Sequence, residues 1–279
     1  WSWSRGLGDV YKRQLYYRED VLKELGIPVP KTYEEVVAAS EKIRASGKMQ
    51  HPYAAAYKAG WNLAEEFVNM FIGHGGEFFK AGTAEPNINN AKGVATLNML
   101  KKLASLSNPD YLTHDSEAIK VEWESGKVAL MTLWASRSGT LLDDEGDAKI
   151  TAATKLTGPA TVGGGNIPAA TLWWDGFTLA KNRSDSDAEA AFIALAHAAS
   201  NKKMVADAAD QAVWLVEGFV PGPKSIGVIE AVKMGAKPYP MLPQMGLMHG
   251  ALGSEIVEFL QGKESAEQAL KDVEAAYIS

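Results

Sequence analysis

The tract Val128-Ala129-Leu130-Met131-Thr132-Leu133-Trp134 restricts the folds open to this chain more than any other. A short, continuous apolar run that begins just after Gly126-Lys127 suits a strand buried on both faces. A strand buried in this way needs helices on both sides of its sheet, which is the grammar of an α/β protein.

Helix signals stand on either side of it. Thr32-Tyr33-Glu34-Glu35 is a capping box, and Tyr33, Val36, Val37, Ser40 and Ile43 continue it as a helical stripe that Gly47 ends. Pro28 and Pro30 enforce an extended entry, because a proline disfavours helix in the residue before it. Asn90 caps a second helix with Val94, Leu97, Leu100, Leu103 and Leu106 facing a core, ended by Asn108-Pro109; a third runs from Ser116 to Gly126. Leu172 to Lys181 reads as another strand. Ser186-Asp187-Ala188-Glu189 opens a further capped helix, through Phe192, Leu195 and Ala199. Ser265-Ala266-Glu267-Gln268 caps the last one, with Leu270, Val273 and Tyr277 on one side. Thr157 to Pro168 and Phe219 to Pro223 are rich in breakers, and read equally well as crossings between lobes or as surface loops.

Several chemistries fall away. With 28 basic against 34 acidic residues the net charge is -6, so bulk charge gives no reason to bind nucleic acid. The absence of cysteine removes disulfides, thiolate metal sites and a cysteine nucleophile. Histidines 51, 74, 114, 197 and 249 lack the spacing that would put two on one metal, so neither a metal nor a cofactor is expected. Gly126-Lys127 is no phosphate loop, since Val121 and Val128 stand where glycine and a hydroxyl residue are needed. Gly163-Gly164-Gly165 reads as a flexible connector, and no serine sits in a nucleophile elbow. Asp143-Asp144-Glu145 reads as a solvated turn.

The positive signal is tryptophan. An indole offers apolar stacking area and one N–H donor, which suits the C–H faces and hydroxyl edges of a sugar. Trp1 and Trp3 lie in a stretch set apart below, and Trp123 and Trp214 read as core. Trp134 ends the buried strand just before Arg137, and strand ends are where open α/β sheets place ligands; cleft and core remain equal readings for it. Trp173 and Trp174 are neighbours in a strand, so at most one faces a cleft, and Asp175 beside them would fix hydroxyl or ammonium groups.

Asp9-Val10-Tyr11-Lys12-Arg13-Gln14 resembles the translation of a transposon end used in building sequencing libraries, so residues 1–14 are read as a non-native leader. From Leu15 onward the order of segments is that of a known family. Leu15-Tyr16-Tyr17-Arg18-Glu19-Asp20-Val21-Leu22-Lys23-Glu24-Leu25-Gly26-Ile27-Pro28-Val29-Pro30-Lys31-Thr32-Tyr33-Glu34-Glu35 resembles a hallmark of the extracellular solute-binding proteins of ABC sugar importers, the family of the maltose-binding proteins. Four further pieces follow in that family's order: Gly75-Gly76-Glu77-Phe78-Phe79, Trp123 with Gly126 to Met131, Val220 to Ser225, and Leu260 to Leu270.

The resemblance implies a two-lobe periplasmic-binding-protein-like (type II) α/β fold, with most of the N-terminal lobe absent from this chain. Residues 15–160 would be the first part of the C-terminal lobe, 161–225 a crossover and returning piece of the N-terminal lobe, and 226–279 the closing helices. An apolar face that the absent lobe would cover is then expected to be exposed. The resemblance also implies no enzyme and no cofactor. It implies a periplasmic or otherwise extracytoplasmic protein, monomeric when intact, that hands a small carbohydrate or polyol to ABC permease membrane subunits. The expected ligand-binding residues are Trp61, Asn62, Trp134, Arg137, Trp173, Trp174, Asp175 and His249. His249 stands where relatives often present a stacking aromatic. The alternatives are a glycoside hydrolase or lyase using Asp175 and a second carboxylate, a polyamine receptor with carboxylates around Asp175, and a sugar-phosphate receptor with Arg137 and Lys58 converging.

Overall fold

The computed structural model describes residues 10–11, 13–143, 146–174, 177–207 and 219–279. Trp1, Trp3, Asp144, Glu145, Asp175 and Trp214 lie outside the described residues, as does the side chain of Trp174. The elements in chain order are β1 (Val10–Tyr11), β2 (Arg13–Arg18), α1 (Glu19–Glu24), α2 (Tyr33–Ala45), β3 (Tyr53–Ala55), α3 (Trp61–Gly73), α4 (Ala91–Ala104) and α5 (Ser116–Glu124). They continue with β4 (Leu130–Trp134), α6 (Ser138–Leu141), α7 (Ala148–Ala153), β5 (Thr154–Thr157), β6 (Thr171–Trp174), α8 (Asp185–Ser200) and α9 (Lys202–Asp207). The last are α10 (Ile226–Lys233), β7 (Lys237–Pro238), α11 (Met245–Leu260) and α12 (Ala266–Ile278).

The apolar run becomes β4, buried from Leu130 to Leu133, inside a sheet of order β3-β4-β2-β5. β3 pairs with it in parallel, and β2 runs antiparallel to both β4 and β5. The strand begins at Leu130 because Ala129 and Leu130 both donate to the Pro52 carbonyl at 3.0 Å, which turns Val128 and Ala129 into an entry. β2 begins at Arg13, two residues ahead of the expected native start, and Arg13 and Gln14 are buried in it. A second, smaller sheet has the order β1-β6-β7.

The capping box at Thr32 forms as read, with Glu35 N–H donating to Thr32 Oγ1 at 3.1 Å and the Glu35 carboxylate accepting from Thr32 N–H. Asn90 caps α4, which closes at Ala104, four residues before Asn108. Ser265 caps α12 by accepting from Gln268 N–H. Trp123 is in the core, its indole N–H donating to Thr154 Oγ1 at 3.0 Å.

Two expectations need correction. α8 is capped by Ser184, not Ser186: Ser184 Oγ accepts from Asp187 N–H at 3.2 Å, which places the helix start two residues earlier. The strand expected over Leu172 to Lys181 is only Thr171–Trp174, and Phe177 to Ala180 are exposed and outside any strand. Its parallel partner β7 supplies Lys237 and Pro238 alone, and Pro238 and Pro240 lack the N–H groups that would carry a ladder further.

Candidate functional site

The site begins with a glycine contact. Gly60 has φ +95°, a conformation that favours glycine, and its N–H donates to Gly253 O in α11 at 2.9 Å. A Cβ at Gly253 would stand 2.4 Å from the Gly60 carbonyl oxygen, so α3 and α11 meet backbone to backbone. That approach sets Trp61, the first residue of α3, beside His249 of α11, with ring centroids 5.3 Å apart.

His249 is 6% exposed and bonded through both ring nitrogens. Its Nε2 lies 3.1 Å from the Trp61 carbonyl, and its Nδ1 lies 2.9 Å from Tyr239 Oη. A carbonyl only accepts, so Nε2 carries the proton, and Nδ1 then accepts from the Tyr239 hydroxyl. Burial lowers the His249 pKa, against the Trp61 carbonyl bond that raises it.

Trp173 of β6 completes a wall. Its ring lies 4.1 Å from Tyr239 and 6.1 Å from Trp61. The indole N–H donates to Thr171 Oγ1 at 2.8 Å and to Glu65 Oε1 at 3.2 Å. Burial raises the Glu65 pKa, opposed by Arg13 and by the donors from Thr171, Asn69 and Trp173. Burial also pushes the Tyr239 phenol well up, and the Glu65 charge adds to the effect. On the other side of Trp61, Trp134 lies 5.8 Å away, half-buried, with the Arg13 guanidinium 4.8 Å from its ring centroid. Arg13 is paired with Glu66 at 2.5 Å, and burial takes the Glu66 carboxyl up to about 7 against that charge. Beside Tyr239 an open groove of about 530 Å³ is lined by Phe78, Phe79, Pro240, Leu242 and Gln244.

The structure therefore brings together Trp61, Trp134, Trp173 and His249, with Asn62 next to Trp61 on α3. Trp61 is 50% exposed and offers an open ring face. Arg137 turns away to the start of α5, where it donates to Ser116 Oγ at 3.2 Å and pairs with Glu117. Lys58 pairs with Asp115, the cap of the same helix, at 3.0 Å, and that bond comes first among the causes that lower the Asp115 pKa. Both cations thus converge on one helix start, but each already has a carboxylate. Asp175 and the Trp174 side chain lie outside the described residues. Sequence reasoning missed Tyr239, framed by Pro238 and Pro240, and Glu65, whose signal is a carboxylate inside the apolar run from Leu63 to Phe71. Among the described residues no group of acids and histidines could hold a metal, and no helix is long and apolar enough to cross a membrane.

A family model described as bacterial extracellular solute-binding protein matches residues 3–211. A probable ABC transporter-binding protein of Deinococcus radiodurans is 30% identical over 176 residues, which cover 60% of this chain and 40% of that protein. A probable amino-acid ABC transporter periplasmic-binding protein of Sinorhizobium fredii is 30% identical over 141 residues, covering 49% of this chain and 32% of that one. These matches thus span well under half the length of either relative. Among solved structures, maltose-bound MalE3 of T. maritima superposes with a TM-score of 0.85 at 19% identity, over 98% of this chain and 72% of that one. A solute-binding protein of Agrobacterium radiobacter K84 in complex with ribitol gives 0.80 at 22% identity, over 96% and 69%.

Proposed function

The chain belongs to the bacterial extracellular solute-binding protein family and has the mixed α/β fold of the periplasmic solute-binding proteins, and from that premise we propose that it is the ligand-capturing part of an ABC importer for a small carbohydrate or polyol. The observation that carries the reading is the contiguous wall of Trp134, Trp61, Trp173 and Tyr239, in which the half-exposed Trp61 stands between Trp134 and Trp173 in a row of rings 4.1 to 6.1 Å apart. Rings arranged in this way stack on the apolar faces of a sugar ring or polyol chain, while hydroxyls seek polar edges. The solved neighbours with maltose and ribitol bound support this class.

The role is capture without turnover. In the whole protein a second lobe would close over the ligand, because a ligand touching both lobes binds the closed state more tightly. Delivery to membrane permease subunits from an extracytoplasmic position completes the reading. A sugar-phosphate ligand is disfavoured by geometry, since Lys58 and Arg137 are both committed to carboxylates of the α5 start.

The test is intrinsic tryptophan fluorescence of the full-length protein, titrated with maltose, ribitol, mannitol, amino acids, polyamines and sugar phosphates. A saturable change with sugars or polyols and no turnover of a chromogenic glycoside is the expected outcome. Saturation by another class alone, or hydrolysis, would overturn the proposal.

A further inference from the structure

α3 carries three polar side chains at buried positions, Glu65 (1% exposed), Asn69 (2%) and Glu66 (4%). Glu66 has the Arg13 guanidinium to balance it. Glu65 also feels the Arg13 charge but is bonded differently. Its Oε1 accepts from Asn69 Nδ2 at 3.0 Å, from the Thr171 hydroxyl at 2.9 Å and from the Trp173 indole at 3.2 Å, while its Oε2 is buried without a hydrogen-bond partner. A half-satisfied buried carboxylate is costly, so its place under the aromatic wall is not explained by stability.

What it does there is geometric. Asn69 is pinned by donating to the Glu65 carbonyl at 2.9 Å and accepting from Thr171 N–H at 2.7 Å, so the receiving end of the network belongs to rigid helix and strand backbone. The indole of Trp173 is the one member of the network that also reaches the wall. The χ2 torsion of a tryptophan is soft, and flipping the ring would take the N–H away from both acceptors. An acceptor-only group that gathers three donors on one oxygen removes that freedom.

We infer that Glu65 is a positioning residue of the capture site: its Oε1 holds the Thr171 hydroxyl, and the two oxygens together anchor the Trp173 indole N–H and thereby set the face that Trp173, Tyr239 and Trp61 present to a ligand. The inference rests on the capture reading for its consequence in binding, but the anchoring itself is measurable without a ligand.

The experiment compares Glu65→Leu, Glu65→Gln and Thr171→Val, each alone and in a Trp173→Phe background, by far-UV and near-UV circular dichroism and by titration with maltose and with mannitol. Thr171→Val is the milder cut through the same network and serves if Glu65→Leu does not fold. The expected result is native far-UV signal, loss of the near-UV contribution of Trp173 in Glu65→Leu and Thr171→Val, and most of it kept in Glu65→Gln, whose amide oxygen still accepts. Affinity should fall about tenfold in Glu65→Leu, as for loss of a charge-assisted hydrogen bond, and by less than about twofold once Trp173 is phenylalanine. Folded variants with the native near-UV spectrum, or an equal loss of affinity with and without Trp173, would overturn the inference. The expected spectra with no response to any solute would uphold the anchoring and overturn the capture reading.

Discussion

α3 and α8 are both apolar helices and have opposite surroundings. From Leu63 to Gly73 every residue of α3 is buried, packed on α11 and α4, with Phe67 and Phe71 stacked at 5.5 Å. α8 packs chiefly against α9 and leaves Phe192 61% and Ile193 59% exposed. A helix stabilised by its cap and its own backbone is marginal, whereas one clamped on several sides is held by burial. The difference teaches where the aromatic wall draws its rigidity: Trp61, Glu65 and His249 all hang from the clamped pair α3 and α11.

The largest test of that contrast is Phe67→Ala against Phe192→Ala. The first should cost about 3 to 5 kcal/mol in urea unfolding and the second less than about 0.5 kcal/mol. Equal losses would mean that α8 is as firmly packed as α3. Next, Gly253→Ala should destabilise by about 1 to 3 kcal/mol, because its Cβ meets the Gly60 carbonyl. Gly250→Ala, one turn earlier on α11 with nothing within 4 Å of its Cβ, should stabilise by about 0.5 to 1 kcal/mol. Thermal melts of the pair locate the pinch between the two helices.

An effect of similar size is expected on binding for Trp134→Ala, which should weaken binding of the cognate solute by about 1 to 3 kcal/mol, the value of burying one large ring. Unchanged calorimetric titration would make Trp134 a core residue. The smallest effect is on pH. His249 has a lowered pKa in the folded protein, so below about pH 6.5 the unfolded chain takes up the proton first and stability falls with pH. Glu65 and Glu66 have raised values and act in the opposite sense, adding stability as pH falls towards about 4.5. His249→Phe should therefore remove the falling component below about pH 6.5, and its stability curve should rise relative to wild type as pH drops. Parallel curves would show that His249 keeps its ordinary proton affinity.

What was legible in the sequence was what is decided locally. The Thr32 box and the Asn90 cap are set by side chains reaching three residues along their own helix, and β4 is set by an unbroken apolar run. At Ser184 and Ser186 two hydroxyls compete for one cap, and only the geometry of the turn chooses between them. The strand after Leu172 is paired by β7 only at Thr171 and Leu172 and by β1 only at Trp173 and Trp174, which no property of its own residues reveals. In the site, the tryptophans announced themselves by type. Glu65 takes its place through Thr171 and Trp173, 106 and 108 positions away, and His249 is bonded to Trp61, 188 positions away, so none of these contacts is visible along the chain.

The direction of the hydrogen bonds around His249 sorts what can approach the wall. The Tyr239 hydroxyl gives its proton inward to the imidazole, which gives its own to the Trp61 carbonyl, so the phenol oxygen turns only lone pairs towards a visitor. The Trp173 N–H is likewise turned inward. A solute that meets the Tyr239 oxygen must therefore bring a proton of its own.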